Sequence, residues 1–290
     1  MFTEQELIDE LARRGYRTEI KEFKENGVTS RKLGVILDEN ASVNPALKFE
    51  NCMNEDVTVE EFVDDALKYL NEHVNEVDYT NLLNNVTKED ILNNVYIFAL
   101  QQGKDNDFIT QNMCDFAIGY RYVLDVADEG ISSIKVNQSL LDWKGITLEE
   151  LNEHAEKNTY KESEFVAEDL NEIIRRLAQR NGIMMPPLPP NEFNMIVITN
   201  PSKIDGFIQA FNMNSMCKYA EEHDIDTAVI IPSSRNEAIM IPNAGSDNGM
   251  DLNRMIHEVN KTMLDEKEVM GQHAYIFDFT CEPTNISVLS

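Results

Sequence analysis

Apolar residues recur every three to four positions in several segments of the chain, which predicts amphipathic helices. These segments are residues 3–14, 57–74, 147–157, 164–180, most of 204–222, and 251–262. In three of them a threonine precedes the first turn and a glutamate follows three residues later, the spacing of a capping box. The pairs are Thr3 with Glu6, Thr58 with Glu61, and Thr147 with Glu150. Trp143 comes just before the third helix and is expected to pack that turn onto the core.

Alternation of polar and apolar residues predicts β-strands elsewhere. Residues 16–23 and 31–37 are expected to pair antiparallel, because 25–27 between them has the Asn-Gly chemistry of a hairpin turn. Further short strands are expected at 46–51, 131–136, 195–199, 228–231, 238–241 and 275–279. Residues 90–101 and 108–119 are apolar enough to be buried. Their runs do not distinguish a strand from a buried helix, so both remain open.

Four prolines in residues 181–191 exclude a helix and favour an extended spacer. A chain of 290 residues is long enough for two cores. We therefore expect a mixed α/β N-terminal domain at 1–180, a Pro-rich linker at 181–191, and an α/β C-terminal domain at 192–290. The first part is predicted to be mostly helical with a small antiparallel sheet, and the second to follow the order β-α-β-β-α-β. This is an α+β fold class.

The chain carries 52 acidic and 25 basic side chains, a formal net charge of −27. Such an excess repels phosphate and anionic lipid, so direct binding to nucleic acid or to a membrane is not expected. With 42% hydrophobic residues the chain can still form a core. The acidity either serves solubility or docks on a basic partner, and both interpretations stay open.

Cysteine and histidine spacing gives little indication of metal chemistry. The four cysteines are far apart without a CxxC pair, which is typical of reduced thiols in the cytoplasm. The five histidines show no HExxH grouping, and no Gly-rich phosphate loop is present, so we expect neither a metal nor a cofactor. No signal-peptide pattern and no run near the roughly 20 apolar residues of a membrane helix is present.

Residues 229–242, VIIPSSRNEAIMIP, combine two apolar runs with a polar centre. Ser233, Ser234 and Glu237 are weak catalytic candidates, because a serine nucleophile needs a nearby base and oxyanion donors, and the G-x-S-x-G context is missing. The alternative is a turn between two strands, with hydroxyls that satisfy backbone groups. Arg235 and Glu237 are the candidate ligand-binding pair, either as an anion clamp with an orienting acid or as a structural salt bridge.

Three segments resemble domain-of-unknown-function family 5688, proteins of Gram-positive anaerobes. They are EIKEFKENGVTSRKLGVIL, LLDWKGITLEELNEHAEKNT, and MIVITN followed by VIIPSSRNEAIMIP. The family's Pro-Ser-Ser, two variable positions and Glu are matched by Pro232, Ser233, Ser234 and Glu237. Relatives carry a histidine where this chain has Asn236, and Lys144 interrupts a Trp-Gly-Ile motif. The resemblance implies a cytosolic, two-part α/β protein with no known activity, and the missing histidine weakens an enzymatic role.

Two functions are consistent with these observations. The leading hypothesis is a non-enzymatic interaction module whose acidic faces bind a basic protein partner. One concrete form is a phage or mobile-element inhibitor that occupies the surface of a nucleic-acid-binding protein. The alternative is a small hydrolase or anion-binding enzyme that uses residues 233–237 and the loop at 243–249. The lack of a complete catalytic constellation favours the first hypothesis, and the sequence does not indicate an oligomeric state.

Overall fold

The structure is a computed structural model of the chain. It describes residues 2–36, 46–48, 57–74, 85–127, 130–182, 195–244 and 249–289. Helices and antiparallel sheets both contribute, which confirms the predicted α+β class. The chain divides into two compact units, residues 1–90 with 105–107, and residues 91–104 with 108–290. Among the described residues, no helix is long and apolar enough to cross a membrane.

The first unit combines two helices with a three-stranded antiparallel sheet, in the strand order β1-β2-β3. The elements are α1 (Glu4–Arg13), β1 (Arg17–Glu25), β2 (Val28–Ile36), β3 (Ala46–Lys48) and α2 (Val59–Val74). Their apolar faces share one core, formed by Leu7, Leu11, Leu33, Val35, Val63 and Leu67. The helix α3 (Lys88–Asn93) contains the point of division between the units.

Local sequence signals account for most of this unit. Asn26 and Gly27 form the turn between β1 and β2 with φ angles of 52° and 77°, the left-handed conformation that Asn and Gly adopt most readily. Thr3 and Thr58 each exchange the two hydrogen bonds of a capping box with the glutamate three residues on. The predicted strand pair and both helices are therefore confirmed, and the third strand is confirmed at 46–48, whereas residues 49–51 of that prediction lie outside the described residues.

A four-stranded antiparallel sheet begins the second unit. Its strands are β4 (Val95–Gln101), β5 (Thr110–Met113), β6 (Phe116–Ala127) and β7 (Gly130–Lys135). β6 is long enough to pair with β4 on one side and, on the other, with β5 and then β7. The two segments that the sequence left open, 90–101 and 108–119, thus become the end of α3 with β4, and β5 with the first part of β6.

Two helices follow this sheet, α4 (Gln138–Lys144) and α5 (Leu148–Thr159). The side chain of Asn137 caps α4, and Gly145, in the left-handed conformation at φ 64°, ends it. Thr147 and Glu150 form the predicted capping box of α5. The turn between the helices is therefore defined by its own sequence.

The second sheet has six antiparallel strands in the order β13-β12-β10-β11-β9-β8. The strands are β8 (Val166–Asp169), β9 (Ile196–Thr199), β10 (Thr227–Ser234), β11 (Glu237–Pro242), β12 (Tyr275–Asp278) and β13 (Asn285–Val288). A 3-10 helix, Gly206–Phe211, and helix α7 (Met213–Glu222) follow β9, and α8 (Gly249–Thr262) follows β11. From β9 to β12 this is the predicted order β-α-β-β-α-β, and β13 extends it.

The predicted helix at 164–180 is wrong in its first part. Residues 166–169 form β8, and helix α6 (Leu170–Arg180) begins only after them. The carboxylate of Asp169 accepts hydrogen bonds from the backbone N–H groups of Asn171 and Glu172, which makes it the helix cap. Asp169, followed by apolar positions at helical spacing, is thus the signal for the start of α6, and the four residues 166–169 form a strand of the sheet instead.

The division near residue 90 does not coincide with the predicted boundary at 181–191. β8 and β9, which lie on either side of that stretch, pair with each other from Val166 with Thr199 to Asp169 with Ile196. The domain boundary at 181–191 stays a prediction, because prolines are compatible both with a linker and with a connection inside one domain. Residues 183–191 of the predicted linker lie outside the described residues.

An aromatic core joins the elements of the second unit. The rings of Phe116 in β6 and Phe207 in the 3-10 helix meet edge to face, with centroids 5.4 Å apart. Phe211 meets Tyr275 and Phe277 of β12 in the same way, at 5.5 and 5.6 Å. All five are buried. Edge-to-face packing adds favourable electrostatics to the area that these large side chains bury.

Truncation of Phe211 tests this core. Phe211→Ala is expected to lower the free energy of unfolding by about 3–5 kcal/mol, because it opens a cavity among four other rings. Met263→Ala removes a side chain that is 79% exposed and should change the free energy of unfolding by less than about 0.5 kcal/mol. Urea denaturation followed by circular dichroism measures both. Equal effects of the two substitutions would contradict the assignment of the core.

Candidate functional site

Three basic side chains surround the ring of Phe98 in the second unit. The guanidinium carbons of Arg121 and Arg235 lie 5.3 and 4.9 Å from the ring centroid, and Nζ of Lys135 lies 5.8 Å from it. Cations at such distances are attracted by the negative face of an aromatic ring. We call these four residues the basic cluster.

The strand register produces most of this cluster. In the β4–β6 pair, Tyr96 is opposite Arg121 and Phe98 is opposite Gly119; in the β6–β7 pair, Arg121 is opposite Lys135. Cross-strand partners and residues two apart lie on one face of a sheet, so these side chains are neighbours. Gly119 is required here, since a Cβ at that position would lie 2.7 Å from the Phe98 ring.

Asp205 supplies the negative charge of the site. Its Oδ2 lies 2.8 Å from Nη2 of Arg121, and its Oδ1 accepts a hydrogen bond from Nε of Arg235. The three side chains are only 11–14% exposed, so these ion pairs are screened less than surface pairs are. One carboxylate is therefore shared between two guanidinium groups. Together with Lys135, these side chains carry three positive charges and one negative charge.

The loop after β9 holds Asp205 in place. Asp205 has a left-handed backbone at φ 55°, and its N–H donates to the side-chain oxygen of Asn236, 3.1 Å away. The hydroxyl of Thr199 donates to the carbonyl oxygen of Asn236 at 2.7 Å. At Gly206 a Cβ would lie 2.3 Å from the Thr199 hydroxyl and 2.4 Å from that carbonyl oxygen. Only glycine therefore allows the loop to approach the hairpin tip so closely.

A cavity of about 470 Å³ adjoins the basic cluster. Its charged and hydroxyl-bearing wall includes Tyr96, Arg121, Glu164 and Asp205. Its apolar wall includes Ile97, Val123, Ile204 and Ile208. The pKa of the Tyr96 hydroxyl is raised, first by burial and then by the charge of Glu164, so this hydroxyl remains protonated at neutral pH. The cavity thus combines one guanidinium group, two carboxylates, a neutral hydroxyl group and an apolar surface.

The predicted site residues lie at the tip of the β10–β11 hairpin. Arg235 and Asn236 form its two-residue turn between Ser234 and Glu237. The hydroxyl of Ser233 donates to Glu237 over 3.4 Å, and that of Ser234 accepts from the N–H of Asn236 at 3.1 Å. In the part of the chain that the structure describes, neither hydroxyl is hydrogen-bonded to a histidine. The two serines therefore contact groups of their own hairpin.

Arg235 belongs to the basic cluster through the ring of Phe98, and it also donates a hydrogen bond to Asp205, which lies 30 positions earlier. The loop predicted to complete a pocket, 243–249, lies partly outside the described residues, which resume at 249. Across the described ranges, no group of three or more His, Cys, Asp or Glu side chains could hold a metal ion. The hairpin tip thus holds an ion-pair network with Asp205 and, beside it, the long hydrogen bond from Ser233 to the carboxylate of Glu237.

Four residues of the site were not among the sequence candidates: Phe98, Arg121, Lys135 and Asp205. A signal for one of them exists in the sequence. Arg121 interrupts the apolar run FAIGYRYVL two positions after a glycine, and a basic residue in a buried strand needs a partner. Asp205 lies far away along the chain in a short loop, so only the folded structure shows that it is this partner.

A second group of exposed residues, close together in sequence, lies on α4 and α5. The predicted packing of Trp143 onto the core is wrong, because its side chain is 53% exposed, and Leu148 nearby in sequence is 42% exposed. Nζ of Lys144 lies 3.7 Å from the Trp143 ring. Glu149 and Glu153 are exposed, one turn apart on α5. We call Trp143, Leu148, Glu149 and Glu153 the acidic surface.

The chain is thus an α+β protein in which the basic cluster on the four-stranded sheet and the hairpin tip adjoins a cavity. Residues 3–279 of the 290 match a family of unknown function, DUF5688, and the chain belongs to this family. The resemblance carried by three segments of the sequence is thereby confirmed. No curated protein and no solved structure matches the chain.

Removal of the shared carboxylate tests the ion-pair network. Asp205→Asn should lower the free energy of unfolding by about 3 kcal/mol, because two mostly buried guanidinium groups would lose the carboxylate that they share. Asp224→Asn is the matched control. Asp224 is exposed and has a similar left-handed backbone, with φ 53° against 55° for Asp205. Urea denaturation of both variants gives the comparison, and equal stabilities would refute the role of Asp205.

Proposed function

We propose that the protein is a non-enzymatic interaction module that binds a basic protein partner through the acidic surface. The observation that carries this proposal is the exposure of Trp143, the only tryptophan of the chain, close in sequence to the exposed carboxylates of Glu149 and Glu153. Half-exposed tryptophan is costly for solubility and is enriched among the residues that contribute most to protein interfaces.

Charge supports a basic partner. The net charge of −27 steers cationic proteins toward the molecule and repels polyanions. The contact of Lys144 with the Trp143 ring shows that the indole face accepts a cation. A lysine or arginine of the partner can use the same attraction, while Leu148 adds apolar area. The carboxylates of Glu149 and Glu153 then orient the basic partner and raise its association rate.

The non-enzymatic character rests on the hairpin tip. The hydroxyl of Ser233 reaches the carboxylate of Glu237 only at 3.4 Å, and that of Ser234 accepts a backbone N–H of the same turn, whereas covalent catalysis by serine needs a base in close hydrogen-bond contact. An inhibitor that occupies a nucleic-acid-binding surface is one concrete form of the proposal, because rows of carboxylates present negative charge as phosphates do. A cytoplasmic location is part of it, supported by the free cysteines Cys114, Cys217 and Cys281.

The single tryptophan provides a direct test. A short peptide of lysine and arginine, added to the full chain, should change the emission of Trp143. Its affinity should fall at least about tenfold between roughly 0.05 and 0.3 M salt, since surface charge pairs are screened. A peptide with glutamine in place of every basic residue is the neutral control and should leave the emission unchanged.

A pair of charge variants tests the location. Glu149→Gln with Glu153→Gln should weaken the peptide's binding about fivefold or more. Glu221→Gln with Glu222→Gln removes the same charge from exposed positions on α7 and should weaken it less than about twofold. Equal losses in the two double variants would show that only the net charge matters and would refute the acidic surface as the binding site.

A further inference from the structure

We propose that the protein forms a symmetric dimer in which β1 of one copy pairs antiparallel with β1 of a second copy, centred on Ile20 of both. β1 is an edge strand, since among the described residues it pairs with β2 alone. An edge strand presents backbone N–H and C=O groups to any strand of matching register. This edge lies in the first unit and is separate from the acidic surface, so neither proposal depends on the other.

The direction of the backbone groups defines the edge. The N–H of Lys24 donates to the carboxylate of Asp107, and its C=O accepts from the N–H of Asp107, so Lys24 faces away from β2. Because these groups alternate sides along an antiparallel strand, the even-numbered residues of β1 all face outward. Residues 105–107 belong to the same unit and cover the edge at Lys24. In the described part of the chain the edge is thus open over residues 18–22, whose midpoint is Ile20.

One register uses this whole stretch. With Ile20 opposite Ile20, Thr18 of each copy lies opposite Glu22 of the other, and all three residues direct their backbone groups outward. Each of these pairs can exchange two hydrogen bonds. A shift by one residue would place outward groups opposite inward ones, and these bonds would be lost.

Charge excludes the registers shifted by two residues. In the centred register Glu19 of each copy lies opposite Lys21 of the other, on the face that both share, where Nζ of Lys21 is 3.4 Å from Oε2 of Glu19 within one strand. A shift by two residues would place Glu19 opposite Glu19, or Lys21 opposite Lys21. Like charges directly opposite each other destabilise a strand pair, whereas opposite charges stabilise it. Charge therefore selects the register that uses the whole open edge.

Apolar area at the edge favours the same contact. In the β1–β2 pair Ile20 is opposite Leu33, a fully buried residue of the core of the first unit. Cross-strand partners share a face, so Ile20 continues this core to the open edge, where it is still 40% exposed. In the dimer the two Ile20 side chains meet at the symmetry axis and remove each other's apolar area from water.

The local charge allows two acidic molecules to approach at this edge. Residues 17–36, which are β1, its turn and β2, carry five basic and three acidic side chains, a net charge of +2 in a chain of −27. The long-range repulsion between two copies is screened by salt. A pair of short strands gives a small interface, so the dimer should depend on protein concentration.

Sedimentation velocity of the full chain tests the dimer, in about 0.3 M salt to screen the repulsion. Between about 5 and 500 µM, a range suited to a small interface, the weight-average mass should rise toward that of two chains. Ile20→Lys places like charges at the centre of the interface and should weaken the dimer at least about tenfold. Val288→Lys is the matched control. Val288 is 38% exposed on another edge strand, β13, and its substitution should leave the dimer unchanged.

A charge exchange tests the register. Glu19→Lys alone and Lys21→Glu alone each place like charges opposite one another, so each should weaken the dimer about fivefold or more. The two variants change the net charge in opposite directions, so net charge cannot explain a loss in both. The double variant restores opposite charges and should recover the parent affinity to within about twofold. Both side chains are more than half exposed, and circular dichroism confirms that each variant is folded.

Each outcome decides the proposal. A chain that stays monomeric over this range, or a dimer that folded Ile20→Lys leaves intact, would overturn it. Equal losses in Ile20→Lys and Val288→Lys would refute β1 as the interface, and a double variant as weak as the single ones would refute the centred register. The partner-binding test is read separately, from the emission of Trp143 with a cationic peptide, so its failure leaves the dimer unaffected.

Discussion

The shared carboxylate of Asp205 is the contact on which the arrangement of the second unit depends. It joins Arg121 of the four-stranded sheet to Arg235 at the tip of a hairpin in the six-stranded sheet. Such mostly buried pairs gain little net stability once desolvation is counted, but they are costly to break. We therefore expect Asp205 to contribute more to the specific placement of loop, hairpin and strand than to net stability.

Much of the fold could be predicted because its signals are local. The capping boxes and the Asn-Gly hairpin depend on residues within a few positions of one another, and the structure has them all. Pairing over long distances in the chain was harder. The sequence predicted a helix at β8 because four residues, 166–169, are too few to show the alternation of a strand. Its partner strand β9 also lies beyond the prolines.

The site could be predicted only in part for the same reason. Arg235 was a candidate because an arginine is conspicuous in an acidic chain, and it is a member of the basic cluster. Its proposed companion Glu237 instead accepts a hydrogen bond from Ser233. The carboxylate that Arg235 contacts, Asp205, and the ring that it covers, Phe98, come from other elements. The net charge of the chain is negative, whereas the side chains of the basic cluster are positive, so the overall composition did not indicate this cluster.

Two glycines set the conditions under which this site can persist as sequences diverge. Gly119 leaves room for the Phe98 ring, and Gly206 lets the loop reach within van der Waals distance of the hairpin tip. Neither carries a functional group, so neither would attract notice in a search for reactive residues. Together with Arg121 and Asp205 they form a fingerprint: a homologue that keeps both charges must have moved the Phe98 ring if it has a larger residue at Gly119, and must have rebuilt the loop if it has one at Gly206.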